Sequence, residues 1–464
     1  MARVKYLLAQ IANQCCAFLT AGLRTGSSSQ LMQHIGRGMF WSLFGAIASR
    51  AGSLGASVVI SRHLGIEAFG QFGAIQATVA MLATFGGLGL SITVTKHVSQ
   101  YFPVDRNKVG RILGMSLVGS IMGGGLVAAG LFAGVDLIGY HLLGQHDLAT
   151  PLRVTAILPI LGALNGVQTG ALIGLQSFRA IAKINVLLGA LTLTLLSGGT
   201  YFGGLEGCCI ALVLVQVTIC VVTDQALRRD LARKQMSISY RGAWKERSIF
   251  YSFALPALAG GLLVEPINWL CTIMVIRQPG GYADIGVYYA ATQWGTALLF
   301  VPNLLGQVVF PLLSEAFSQN NTNKFVRLFV LSVGLNATIV ACVLVVLGWI
   351  APQLLELYGA DWARHSRIFI VVIATASLLS VVAPAGYVVA VTGRMWVGFS
   401  MNLAWALCFI VLTRLLLGHG VLGLAVARAT SYILHAIWTA IFVLNAISHS
   451  RKERSEDPSP NRFR

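Results

Sequence analysis

The chain has 464 residues, of which 56% are hydrophobic and 11% charged, with 33 Lys and Arg against 16 Asp and Glu. A soluble domain carries about 25% charged residues, so this composition excludes an ordinary soluble protein. The net charge of +17 is scattered over short loops; that excludes a nucleic-acid-binding stripe and reads as membrane topology and attraction to anionic lipid.

In chain order, residues 1–38 are moderately apolar but interrupted by Gln10, Asn13 and Gln14, and a Gly26-Ser27-Ser28-Ser29 joint follows. They read as a cytoplasmic interfacial segment. Apolar stretches then follow at 39–61, 67–92, 110–134, 151–175, 180–202, 204–227, 248–276, 284–313, 325–350, 365–392, 395–417 and 421–446. Each reaches the ~20 residues that cross ~30 Å of hydrocarbon. The expected fold is an all-α membrane protein of twelve transmembrane helices. The expected divisions are the N-terminal segment 1–38, a six-helix lobe 39–228, a polar linker 229–247, a second six-helix lobe 248–446 and a tail 447–464.

Basic residues alternate across these spans. The N-terminus, even-numbered loops and tail carry 25 of the 33, and the odd-numbered loops carry six: Arg62, Arg153, Arg277, Arg364, Arg367 and Arg414. Basic loops stay in the cytoplasm, so both termini are expected inside. The eight cysteines sit in apolar surroundings without CxxC spacing and read as small buried hydrophobes.

A gapless shift of 216 residues places Gly45, Gly65, Gly70, Gly170, Gly204 and Gly207 on Gly261, Gly281, Gly286, Gly386, Gly420 and Gly423. Six spans per half is even, so the halves point the same way. Parallel repeats of this kind are a transporter architecture, two six-helix bundles around a central cavity.

The segment from Ser61 to Leu90 reads SRHLGIEAFGQFGAIQATVAMLATFGGLGL, and GYADIGVY at Gly281–Tyr288 echoes it in the second half. The R-x-LG-x-x-x-FG-x-F pattern followed by an apolar span ending in GLG resembles the Wzx-type polysaccharide flippases, part of the multidrug/oligosaccharidyl-lipid/polysaccharide exporter superfamily. The resemblance implies flipping of undecaprenyl-diphosphate-linked oligosaccharide from the cytoplasmic to the external leaflet of a bacterial inner membrane. It also implies a cation gradient as drive, and partners among membrane lipids and the polysaccharide polymerase or export machinery. A rival pattern, Asp105 to Arg111 between spans 2 and 3, approaches the G-x-x-x-D-R-x-G-R-R motif of major-facilitator transporters. Tyr101 stands where its first glycine belongs, and the segment reads as a basic loop.

A charge at the bilayer centre costs about 2.5–3.5 kcal/mol on insertion scales, which singles out two residues. Arg50 lies eleven residues into span 1 and Glu265 midway along span 7, at nearly equivalent positions under the repeat. Arg50 suits the diphosphate or an acidic sugar, because a guanidinium binds oxyanions bidentately. Glu265 suits a coupling cation or proton. A buried Arg50–Glu265 ion pair is the competing structural reading. Asn268 shares the Glu265 stripe, where Pro266 is expected to kink the helix. Asn165, Gln168 and Gln293 are candidates for sugar hydroxyls or for interhelical hydrogen bonds. Arg428, in the outer half of span 12, is a candidate substrate contact or an arginine that reaches to the interface. His435 reads as a helix contact, and Asp224 as the i,i+4 partner of Arg228. Gly162, Gly166, Gly170 and Gly174 form a stripe for close helix approach, either static or sliding.

No GxxxxGK[ST] sequence occurs, so direct ATP use and cofactors are not expected. The acidic residues are scattered without a paired-carboxylate motif, so an enzyme is not expected either. The reading is a cation-coupled, alternating-access flippase; the alternative is a cation-coupled exporter of drugs or other small solutes.

Overall fold

The computed structural model describes residues 29–249, 263–319 and 321–456. The expected interfacial segment up to residue 28, Cys15, Cys16, the first part of span 7 with Gly261, and the end of the tail lie outside these residues.

Among the described residues the regular structure is helical throughout. We label α1 Ser29–Gly86, α2 Leu90–Tyr101, α3 Arg106–Ala133, α4 Leu158–Gly174, α5 Phe178–Leu191, α6 Ser197–Arg233, α7 Val264–Ile276, α8 Gly281–Leu298, α9 Phe300–Ser318, α10 Thr322–Trp349, α11 Ser366–Val391, α12 Met395–Leu415 and α13 Gly420–Glu456. Nine helical segments among the described residues are long and apolar enough to cross a membrane, and Val264–Ile276 is a shorter apolar helix.

The two longest segments, Leu43–Gly86 and Phe178–Arg233, run for 44 and 56 residues. At 1.5 Å per residue each is about twice or more the ~30 Å of hydrocarbon. Both break at glycine. Gly65 has φ 79°, and Gly204 has φ 56° and ψ −137°, values that a side chain resists. At the second break the chain doubles back, so that Gly199 and Gly207 lie backbone against backbone. Gly420, the repeat partner of Gly204, has φ 56° and ψ −139°.

Small residues set the packing of the first half. α1 crosses α5 where Gly52 meets Gly189, and a methyl on Gly189 would sit 2.9 Å from Ser49 Cα. The glycine stripe of α4 packs on α2: Gly170 and Gly174 abut Ser91, Thr95 and Val98, and Thr95 Oγ1 donates to the Gly170 carbonyl at 3.2 Å. A methyl on Gly162 would meet nothing within 4 Å, so the close approach covers the last three glycines of the stripe.

The segment after α6 is tied to the first half. Ser239 N–H donates to the Gly110 carbonyl at 3.0 Å, Arg106 donates to the Lys234 carbonyl at 3.2 Å, and Arg111 pairs with Glu246 at 2.9 Å. Asp105 caps α3 by accepting from Lys108 N–H at 2.9 Å. The basic loop that approaches a major-facilitator motif is thus a helix cap and a fastening for the linker. Asp224 and Arg228 form the expected i,i+4 pair at 2.6 Å.

Candidate substrate path between the halves

The halves meet at the end whose loops are poor in basic residues. Arg62 Nε donates to the Leu357 carbonyl at 2.6 Å, and Arg277 donates to the carbonyls of Leu142, at 3.3 Å, and His141. Tyr282 O–H donates to the Leu143 carbonyl at 2.8 Å. Tyr358, 1% exposed, is a second-half residue inserted against the first. Its hydroxyl bonds Ser57 Oγ at 2.9 Å and accepts from Trp294 Nε1 at 3.1 Å. Its carbonyl accepts from Ser61 Oγ at 3.0 Å. Beneath it, Phe69 packs against the rings of Tyr289, Tyr358 and Trp362.

α1 and α8 cross at Gly70 and Gly286, a repeat-related pair. A methyl on Gly70 would lie 2.7 Å from the Tyr282 carbonyl carbon and 2.9 Å from Gly286 N. Two turns further in, Trp269 Nε1 donates to Thr78 Oγ1 at 2.9 Å. The hydrogen bonds that join the halves cluster at this end.

The sequence-predicted charges lie below this closure. At 100° per residue Arg50 falls within about 40° of Ser57 and Ser61 on the helix circumference, the two residues that touch Tyr358. Arg50 is therefore on the α1 face turned to the second half, about 10 Å deeper than Ser57. Glu265 is one turn, about 6 Å, deeper than Trp269 on the α7 face turned to the first half. Both side chains are exposed. They do not pair with each other, and among the described residues neither has a hydrogen bond or ion pair. The buried Arg50–Glu265 salt bridge is not formed.

The other predicted residues separate into groups. Asn268, on the next turn from Glu265, donates to the Val264 carbonyl at 2.9 Å, and its buried Oδ1 has no partner. Gln293 donates to Tyr289 O–H at 2.8 Å, at the inner edge of the aromatic seam. Asn165 donates to Thr223 Oγ1 at 3.2 Å, and Gln168, 3% exposed, accepts from Cys220 Sγ at 3.6 Å. Those two amides join α4 to α6 inside the first half. Arg428 is held inward and does not reach to the interface: its Nη1 donates to Tyr288 O–H at 2.7 Å, and its guanidinium lies 5.8 Å from the Tyr432 ring centre. Tyr358 and Trp362 were not singled out by the sequence; their one signal is an i,i+4 aromatic pair in a short loop.

Comparison with known proteins agrees with this architecture. The family model described as Polysaccharide biosynthesis protein matches residues 35–317. The EPS I polysaccharide export inner membrane protein EpsE of Ralstonia solanacearum is 22% identical over 396 residues, covering 83% of this chain and 88% of that protein. Among solved structures, an inward-facing multidrug resistance MATE family transporter of the MOP superfamily aligns with a TM-score of 0.73 at 15% identity, covering 87% of this chain and 96% of the other. The lipid II flippase MurJ in an inward closed conformation aligns with a TM-score of 0.67 at 12% identity, covering 87% of both chains. A membrane protein of multiple apolar helices with the fold of these transporters, this chain belongs to the Polysaccharide biosynthesis protein family.

Proposed function

We propose that this protein is a flippase for lipid-linked oligosaccharide in the bacterial inner membrane, working by alternating access. The observation that carries the reading is Arg50: a guanidinium at membrane depth, exposed, unpaired among the described residues, and on the helix face turned to the opposite half. An uncompensated charge there has a cost that an anionic cargo offsets, and a diphosphate is the oxyanion a guanidinium fork fits best. Family membership and the polysaccharide export role named for EpsE support the same cargo.

In this reading the chain crosses the membrane twelve times in two parallel six-helix bundles, with the two glycine-broken segments counted as hairpins and Val264–Ile276 as the end of the seventh crossing. Both termini and the linker are cytoplasmic, as the basic loops require. The closed end is then external, and the path is open to the cytoplasm. The head group enters between the halves while the prenyl tail stays in lipid. Arg50 takes the diphosphate, with Gln293 and Asn268 near the sugars. Glu265 binds the coupling cation or proton, whose arrival weakens the seam at Trp269 one turn away. Polymerase or export machinery receives the flipped unit outside.

The test is translocation of an undecaprenyl-diphosphate oligosaccharide in proteoliposomes by wild type, Arg50→Ala and Glu265→Gln. Gradient-dependent flipping lost in both folded variants is the expected result. Robust flipping by both removes Arg50 and Glu265 from the mechanism. Failure of wild type with every lipid-linked sugar, together with export of a small solute, replaces the flippase by a solute exporter.

A further inference from the structure

Arg428 is not accounted for by the path between the halves. It sits on α13 within the second half, its Nε is buried without a hydrogen-bond partner, and it borders a cavity of about 60 Å³ between α8, α11 and α13. A guanidinium with its Nε buried in a largely apolar wall is stabilised by a counter-charge, yet half-buried Arg428 has no carboxylate partner among the described residues. Asp284, on the same helix as Tyr288, is committed elsewhere: its Oδ2 accepts from Val421 N–H at 3.0 Å. Glu265 makes no ion pair with Arg428. Residues 250–262 contain no Asp or Glu.

The hydrogen-bonding character of the cavity narrows the ligand. Tyr288 O–H accepts from Arg428, so its own proton is free to be donated. Thr292, Thr296 and Thr375 also line the cavity. Each donates its hydroxyl proton to a main-chain carbonyl of its own helix at 2.8 Å, so each turns lone pairs to the cavity. The site therefore combines a cation and a donor at one end with acceptors along the wall. A protonated phosphate, which both accepts and donates, matches that pattern. Sulfate and chloride bring no proton for the threonines. A water needs ~10–15 Å³ of such space, so the volume holds about four waters or one phosphate-sized group. The rest of the wall, including Val372 and Leu379, is apolar and leaves room for one charged group only.

We propose that this cavity is a binding site for a hydrogen phosphate group, separate from the Arg50 path, with Arg428 and Tyr288 as donors and the threonines as acceptors. The group is either inorganic phosphate or a phosphomonoester on a prenyl lipid. The site does not depend on the flippase reading, since binding is measurable without transport.

The experiment is equilibrium binding to the detergent-purified full-length protein, with inorganic phosphate, sulfate and geranyl phosphate as probes. Saturable phosphate binding at least tenfold tighter than sulfate is expected, lost in Arg428→Gln, weakened about five- to tenfold in Tyr288→Phe and kept in Arg50→Gln. Binding of geranyl phosphate alone, with the same pattern across variants, supports the site with the lipid as source. Should Arg428→Gln fail to fold, Tyr288→Phe and Thr375→Val, both near-isosteric, carry the test. Three results overturn the proposal: no phosphate or geranyl phosphate binding by wild type, sulfate bound as tightly as phosphate, or binding that is lost in Arg50→Gln while Tyr288→Phe leaves it unchanged.

Discussion

Tyr358→Phe isolates the latch that holds the two halves together. The substitution removes one hydroxyl and keeps the ring that packs on Phe69 and Trp362. Ser57 loses little, because its hydroxyl still reaches the Leu54 carbonyl at 2.8 Å. Trp294 loses the acceptor of its indole N–H, and a buried donor left unpaired costs about 1–3 kcal/mol. In a state open at this end the same groups meet water, so the cost falls on the closed state alone. A difference of 1–3 kcal/mol moves the closed-to-open ratio by about 5- to 150-fold. Spin labels at exposed Leu137 and Gln353, on opposite halves and in a background lacking native cysteines, read that ratio by pulsed electron resonance. A longer-distance population growing in Tyr358→Phe is expected. Adding Trp294→Phe, which removes the stranded donor, should cost less than the sum of the single changes. Distances in the folded Tyr358→Phe variant that match wild type would refute the latch.

Gly70→Ala should shift the same distances further, because its methyl would meet the Tyr282 carbonyl and backbone there has no rotamer with which to yield; a closed population equal to wild type would contradict this. Arg111→Ala leaves the Glu246 carboxylate, 10% exposed in its side chain, without its cation, at a cost of about 1–3 kcal/mol. Trypsin should then cut the linker after Arg241 or Lys245 faster, and an unchanged rate would mean the ion pair does not fasten it. The His97 imidazole is held below its ordinary value by burial and then by Lys96 and Lys108. The unfolded chain therefore takes up this proton first as pH falls below about 6.5, and stability declines from there down through the lowered folded value. Melting temperature against pH should fall less steeply over that window in His97→Gln; superimposable slopes would count against it.

How much of this could be read in the sequence depends on the range of the interactions. Topology is written in local composition, since each apolar stretch and each basic loop is judged against lipid without knowledge of its neighbours. Arg50 and Glu265 stand out for the same reason: a charge in an apolar span is conspicuous whatever it faces. What a side chain faces is not local. Asn165 and Gln168 carry the same amides whether they bind sugar or join helices, and only the placement of Thr223 and Cys220 on α6 gives their present partners. Arg428 was legible as a membrane charge, but its inward direction depends on Tyr288, 140 residues away. Tyr358 lies 301 residues from Ser57, in a loop of ordinary composition, so nothing near it in the chain marks it as a latch.

The repeat explains where the halves touch, and its imperfection shows where they differ. Gly204 and Gly420 share one backbone conformation, and Gly70 and Gly286 meet at the crossing of α1 and α8. The duplicated Gly70 and Gly286 thus form the crossing, where parting the helices exposes little side-chain surface. The polar groups that hold the closure are only partly duplicated. Arg62 and Arg277, one residue out of register, donate to the repeat-related carbonyls of Leu357 and His141, but Tyr358 has no counterpart of like chemistry, since the shift places Leu142 on it. The charged depth is also unsymmetrical, with Arg50 on one side and Glu265 on the other. In the proposed alternating-access reading, a crossing of small residues closed by a few hydrogen bonds each worth about 0.5–1.5 kcal/mol net leaves two states near in energy. In that reading charge arriving at Arg50 or Glu265 chooses between them, which is the condition a ligand-driven switch requires.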